Sequence, residues 1–208
     1  MNITDLRTCE VLGHGYSTYV RVFTDDGVYG TGECIHGGDG CPQLIGMMKP
    51  VLVGEDPLDV DRLFEKMRRA SRTPICAGEN LYLRWGFREL FEKNAVDVVM
   101  PNIPKCGGLS EGRKIANLAE LYYIPFAPHN VCGPLGTVAS AHVCASVPNF
   151  LVLEWHWRER PYWHELVVAD EPLIQRGRLR IPDRPGLGCE VNEDALQRHL
   201  RPGTELWQ

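Results

Sequence analysis

From Thr73 onward the chain repeats one pattern, a short apolar run that ends in a polar residue and is followed by a helical stretch. The runs are PICAGE ending at Glu79, DVVMPN ending at Asn102, IPFAPH ending at His129, and FLVLEWH, with Glu154 and His156 near its end. Between them, Arg84 to Lys93, Ser110 to Tyr122 and Gly136 to Ser146 carry helical patterning. Such alternation is expected of βα units and a parallel sheet. Barrels and open parallel sheets keep their chemistry at the C-terminal strand tips. A single polar tip means little, and for Asn102 or Asn130 alone capping of the next helix is the simpler reading. Glu79, Asn102, His129 and Glu154 in succession share one rim if the strands are parallel neighbours, and that rim is predicted to be a binding site.

The segment before residue 72 differs. YVRVF alternates, Thr24 to Gly27 turns and VYGTGE resumes, which predicts an antiparallel hairpin between Ser17 and Glu33. A short helix starts at Pro42, and a second, amphipathic one starts at Asp59 with Val60, Leu63, Phe64 and Met67 as its apolar residues. After Leu166 come a turn at Gln175 to Gly177, a strand in RLRIP, a Pro/Gly-rich loop and a helix from Asn192 to Leu200. The expected organisation is an N-terminal α+β cap over 1–71, about four βα units over 72–165, and a tail over 166–208 that folds back on the cap. In fold class this is α/β, a partial (β/α) barrel with an α+β capping domain.

Charge and composition remove several classes of function. A net charge of −5 without a basic stripe argues against nucleic acid as a partner. No apolar stretch approaches the roughly 20 residues of a membrane span, and the first residues lack a basic-then-apolar leader, so a cytoplasmic location is expected. The eight cysteines are scattered without tight spacing, which favours reduced thiols over a disulfide framework. His129 and Cys132 lie three apart, but a structural zinc site wants a second such pair, and none exists.

The rim residues suggest acid/base work. Glu79 is a hard oxygen ligand suited to Mg²⁺, although one carboxylate alone binds weakly. A histidine side chain can take or return a proton, so His129 suits a general base, and Glu154 suits an acid or a hydrogen-bond acceptor. Lys105 in PKCGG is a candidate contact for an anionic substrate and His36 in the Gly-rich ECIHGGDG segment a candidate specificity residue reaching the site from a cap loop, with solvated surface as the alternative for each. Trp155, Trp157 and Trp163 are expected to pack between cap and barrel.

PHN, CGPLG and LEWH, together with TDDGVYGTGE near the start and PDRPGLG near the end, resemble the enolase superfamily. The likeness is to its mandelate racemase group, and within that to galactonate dehydratase-like sugar-acid dehydratases. The resemblance implies a lyase that abstracts a proton α to a carboxylate and eliminates water from a small sugar acid, with Mg²⁺ as cofactor. It implies that Glu79 is the last of three metal carboxylates, that His129 belongs to a His-Asp dyad, and that Glu154 contacts substrate. The dyad's aspartate falls at position 102, where this chain has Asn102. An amide supplies neither full charge nor a guaranteed acceptor, and the comparable change in the serine-protease triad costs about 10⁴ in turnover.

A whole (β/α)₈ barrel takes roughly 250 residues. Here the helix ending near Ser71 runs almost directly into the first apolar run, as though the early barrel strands, which by the resemblance would carry two metal carboxylates and the opposing catalytic residue, had been deleted. Four parallel strands leave two exposed edges and an uncovered apolar face. Pairing of two half-barrels as a homo-oligomer, pairing with a full-length relative, cover by cap and tail, or an unstable fragment all remain open. The expectation is a sugar-acid dehydratase homologue with impaired or absent turnover; the alternative is a non-catalytic ligand-binding or interaction protein.

Overall fold

The computed structural model describes residues 1–13, 15–34, 40–156, 162–169 and 171–207. The chain divides into two compact units, Met1–Thr73 and Pro74–Gln208.

The first unit is built on an antiparallel sheet of β1 (Ile3–Gly13), β2 (Gly15–Thr24) and β3 (Tyr29–Cys34), in that order. The β2–β3 hairpin is the expected one, and Gly27 supplies the positive φ of +82° that its turn requires. β1 is an addition to the expected fold. Its sequence, ITDLRTCEVLG, mixes polar and apolar residues on both faces and so carries little period-2 signal. Two helices complete the unit. α1 (Cys41–Leu52) carries Pro42 in its first turn, where a proline fits, and α2 (Val60–Ala70) turns Leu63 and Met67 inward. Ile3, Leu52 and Leu63 form the core, with Leu6, Val22 and Met48 packed around them.

In the second unit β4 (Cys76–Ala77) pairs in parallel with β5 (Val98–Val99). Parallel bridges Val99–Phe126 and Phe126–Phe150 continue the arrangement, so the four apolar runs are parallel neighbours in chain order. The last two runs make only isolated bridges rather than full strands. Pro101, Pro125 and Pro128 explain this, because a proline has no N–H to give to a ladder. Among the described residues the strands do not close into a barrel.

Helices α3 (Leu83–Glu92), α4 (Gly108–Glu120) and α5 (Pro134–Ala145) follow the first three runs. Phe87 and Phe91, one helical turn apart, meet Val99, Ile103, Ile115, Phe126 and Val143 in the main core. Glu111 at the start of α4 accepts from the Arg84 backbone N–H at 3.2 Å and from its guanidinium at 2.6 Å, fastening α4 to α3. The tail contributes two small antiparallel pairs, β6 (Val167–Val168) with β9 (Glu190–Val191), and β7 (Ile174–Gln175) with β8 (Arg178–Leu179). Its last helix, α6 (Glu193–Arg198), is N-capped by Asn192, whose Oδ1 accepts from the Ala195 N–H at 3.2 Å. Trp163, Val167 and Leu173 pack with Val138 of α5. All eight cysteines are free, and no described helix is long and apolar enough to cross a membrane.

Candidate functional site

Each rim residue is placed by its own strand end. Glu79 leaves β4 directly after Gly78, which holds φ +130° and lies so close to Phe87 that a Cβ there would sit 2.8 Å from the ring. Asn102 follows β5 and is buried, and its carbonyl accepts the backbone N–H groups of Lys105 and Cys106 at 3.0 and 2.8 Å. His129 is joined to the preceding run by a parallel bridge to Asn102 and by its N–H bonded to the Pro101 carbonyl at 3.2 Å. Glu154 is tied to the third run by its N–H, 3.2 Å from the Pro128 carbonyl.

These four side chains meet around one imidazole. Asn102 Nδ2 lies 2.9 Å from His129 Nδ1, and on the other side of the ring His129 Nε2 lies 3.2 Å from Glu79 Oε2 and 3.8 Å from Glu154 Oε2. The ring is mostly enclosed at 14% exposure, whereas the Glu79 and Glu154 side chains are 44% and 36% exposed. The site is thus a largely enclosed histidine behind two carboxylates that face solvent. Glu154 is held in turn by the backbone N–H of Asn130, 2.9 Å from its Oε2.

Asn130 is a structural residue. It is buried, and its amide exchanges bonds with the Thr137 hydroxyl of α5 at 3.1 and 3.3 Å. Lys105 serves the rim through its backbone, since its N–H lies 3.2 Å from Asn102 Oδ1. Its side chain is exposed, and its positive charge is felt at the Cys132 thiol. Neither backbone contribution has a signal in residue type, and only the short spacing of Asn102 to Lys105 hints at one of them. Trp155 and Trp163 pack edge to face at 6.0 Å, and the Trp163 indole N–H bonds the Cys132 carbonyl at 3.0 Å. His36 and Trp157 lie outside the described residues.

The rim does not fit magnesium by itself. It offers two carboxylates, with His129 Nε2 3.2 Å from an oxygen of Glu79 and the Asn130 backbone N–H bonded to an oxygen of Glu154. Among the described residues no three His, Cys, Asp or Glu side chains are grouped to hold a metal. Zinc on His129 and Cys132 meets the same objection, and burial pushes the Cys132 thiol up, away from the thiolate such a site needs. Burial, and then the nearby Glu154 charge, also raise the Cys76 thiol. A separate open cleft of about 1180 Å³ lies in the tail between Val168 and Cys189, and none of the four rim residues lines it.

Residues 42–195 match the family model described as enolase C-terminal domain-like. Among curated proteins, the D-xylonate dehydratase of Haloferax volcanii is 46% identical over 158 residues, 74% of this chain and 37% of that protein. The arabinonate dehydratase of Saccharolobus solfataricus is 33% identical over 147 residues, 70% of this chain and 39% of that protein. The D-galactonate dehydratase of Xanthomonas campestris is 31% identical over 176 residues, 78% and 46% of the two chains. The chain therefore spans less than half the length of these relatives. Among solved structures, a mandelate racemase/muconate lactonizing enzyme-like protein from Rubrobacter xylanophilus superposes with a TM-score of 0.65 at 26% identity, covering 100% of this chain and 99% of that one. An enolase protein from Sargasso Sea environmental sequencing gives 0.56 at 38% identity, over 67% and 37% of the chains.

Proposed function

Because this chain belongs to the enolase superfamily, through its C-terminal domain-like family, we propose that its rim binds a small sugar acid of the xylonate, arabinonate or galactonate class. We further propose that the chain alone dehydrates it poorly or not at all. The observation that carries this reading is the placement of His129, with Asn102 at one ring nitrogen and Glu79 and Glu154 at the other. The relatives whose names specify sugar-acid dehydration support the substrate class.

In dehydration of a sugar acid, the proton α to the carboxylate leaves carbon, the neighbouring hydroxyl departs with a proton as water, and the resulting enol becomes a 2-keto acid. That sequence needs a base at the α carbon and an acid at the leaving oxygen. The rim has a histidine and two carboxylates on one side, with Glu154 positioned to accept a hydrogen bond from a substrate hydroxyl. Magnesium belongs to this proposal only as the ion of the complete family site, where Glu79 would be one ligand by resemblance.

The test is to incubate the purified chain with D-xylonate, arabinonate and D-galactonate, with and without Mg²⁺, and to quantify 2-keto acid. The expected result is product at the no-enzyme background. Mg²⁺-dependent product at a steady rate would overturn the impaired-turnover part of the proposal. The second reading, a ligand-binding protein without catalysis, is favoured by the exposure of Glu79 and Glu154 in front of a largely enclosed histidine.

A further inference from the structure

We infer that Asn102 is a positioning residue that fixes His129 in the Nε2–H tautomer, so that the imidazole turns an N–H toward the Glu79 and Glu154 carboxylates instead of presenting a lone pair there. A neutral imidazole carries one N–H and one acceptor nitrogen, and its neighbours decide which is which. On the inner side, the group 2.9 Å from Nδ1 is the Asn102 amide nitrogen, which can only donate. On the outer side, the groups 3.2 and 3.8 Å from Nε2 are carboxylate oxygens, which can only accept. The Nε2–H tautomer satisfies both sides. The Nδ1–H tautomer satisfies neither, because it sets two N–H groups against each other and aims a lone pair at two anions.

The amide could reverse this logic by rotating to offer Oδ1 to the ring. Lys105 opposes that rotation, because its backbone N–H lies 3.2 Å from Oδ1, and rotation would turn the amide NH₂ toward that donor. Asn102 is buried at 4% exposure, so an N–H displaced there has no water to receive it. A buried unsatisfied donor biases such an equilibrium by about tenfold or more.

An aspartate at position 102 would act in the opposite sense. It accepts from Nδ1–H and leaves Nε2 with a free lone pair, the form in which a histidine can take a proton from carbon. Asn102 thus turns the residue at the centre of the rim from a base into a hydrogen-bond donor. This assignment concerns the resting tautomer and stands whether or not the chain dehydrates any sugar acid.

Nitrogen NMR of the full chain labelled with ¹⁵N-histidine reads the tautomer directly, at a pH where the imidazoles are neutral. The seven histidines are separated by identifying the spin system lost in His129→Gln. The expected spectrum has a pyridine-type Nδ1 and a pyrrole-type Nε2 for His129. Asn102→Asp should interchange the two types, and Asn102→Ala should give an averaged pair, with backbone amide spectra showing that each variant remains folded. A pyridine-type Nε2 in the parent chain overturns the inference. So does an unchanged pattern in folded Asn102→Ala, because the carboxylates alone would then set the tautomer. Should Asn102→Asp fail to fold, the parent and the alanine variant still decide.

Discussion

Gly78 is the residue on which the placement of Glu79 depends. Its φ of +130° is a region that side chains rarely adopt, and Phe87 stands where a Cβ would go. Gly78→Ala is therefore expected to destabilise the second unit by about 1–3 kcal/mol, the usual cost of a strained backbone, and to shift Glu79 away from His129. Urea unfolding followed by tryptophan fluorescence checks the first effect, and an unchanged midpoint would contradict it. The residue types at the rim were legible because a polar side chain ending an apolar run stands out: Glu79, Asn102, His129 and Glu154 were all expected on one rim, and they meet there. Their orientation was not legible. Lys105 attracts notice for its charge, yet its backbone N–H is what touches Asn102. Asn130, readable as a helix cap, holds Glu154 through its backbone and α5 through its side chain. Backbone donors have no signature in composition, so only coordinates assign them.

Among the elements, helices were easier to read than strands. α3, α4 and α5 lie within a few residues of their expected bounds, and in α3 and α4 apolar residues three or four apart leave a clear period. The four apolar runs are parallel neighbours as expected, but prolines shorten their ladders to pairs and bridges. β1 went unseen for lack of alternation, and it brings an ion pair into the first unit. Asp5 on β1 is paired with Lys49 of α1 and with Arg7, 2.9 Å away. The Lys49 ammonium first, and Arg7 second, hold the Asp5 carboxyl down to about 2 from an ordinary 3.8. Because the folded value is depressed, the stabilisation from this carboxylate is complete above the ordinary value and disappears as pH falls through about 2. An NMR titration should find the Asp5 midpoint near 2, and Lys49→Met should raise it. A midpoint near 3.8 in the parent chain would contradict the β1–α1 pairing.

At the scale of the molecule, the chain belongs to a family whose relatives are more than twice as long as the part it matches. Exposed Cys76 lies on one outer run of the parallel arrangement, and Phe150, Leu151 and Val152, at 42%, 57% and 55% exposure, lie on the other. Parallel strands are ordinarily covered on both faces, and open edges recruit further strands. A two-fold axis along the strands would set the last run of one copy beside the first run of another without reversing any strand. Light scattering on the eluting chain is accordingly expected to give a mass of at least two chains, and a clean monomer would contradict self-association. The number of parallel runs was legible from the sequence; what covers their edges was not, because edge burial is set by groups distant in the chain or on another copy.

The most direct test of the central claim, that this rim still captures sugar acids, is a calorimetric titration of D-xylonate into the purified chain and into His129→Ala. Saturable binding in the parent chain, lost or weakened at least about tenfold in the variant as removal of an enclosed hydrogen-bonding partner implies, is the predicted result. No binding to a folded parent chain, or equal binding to both, would contradict it.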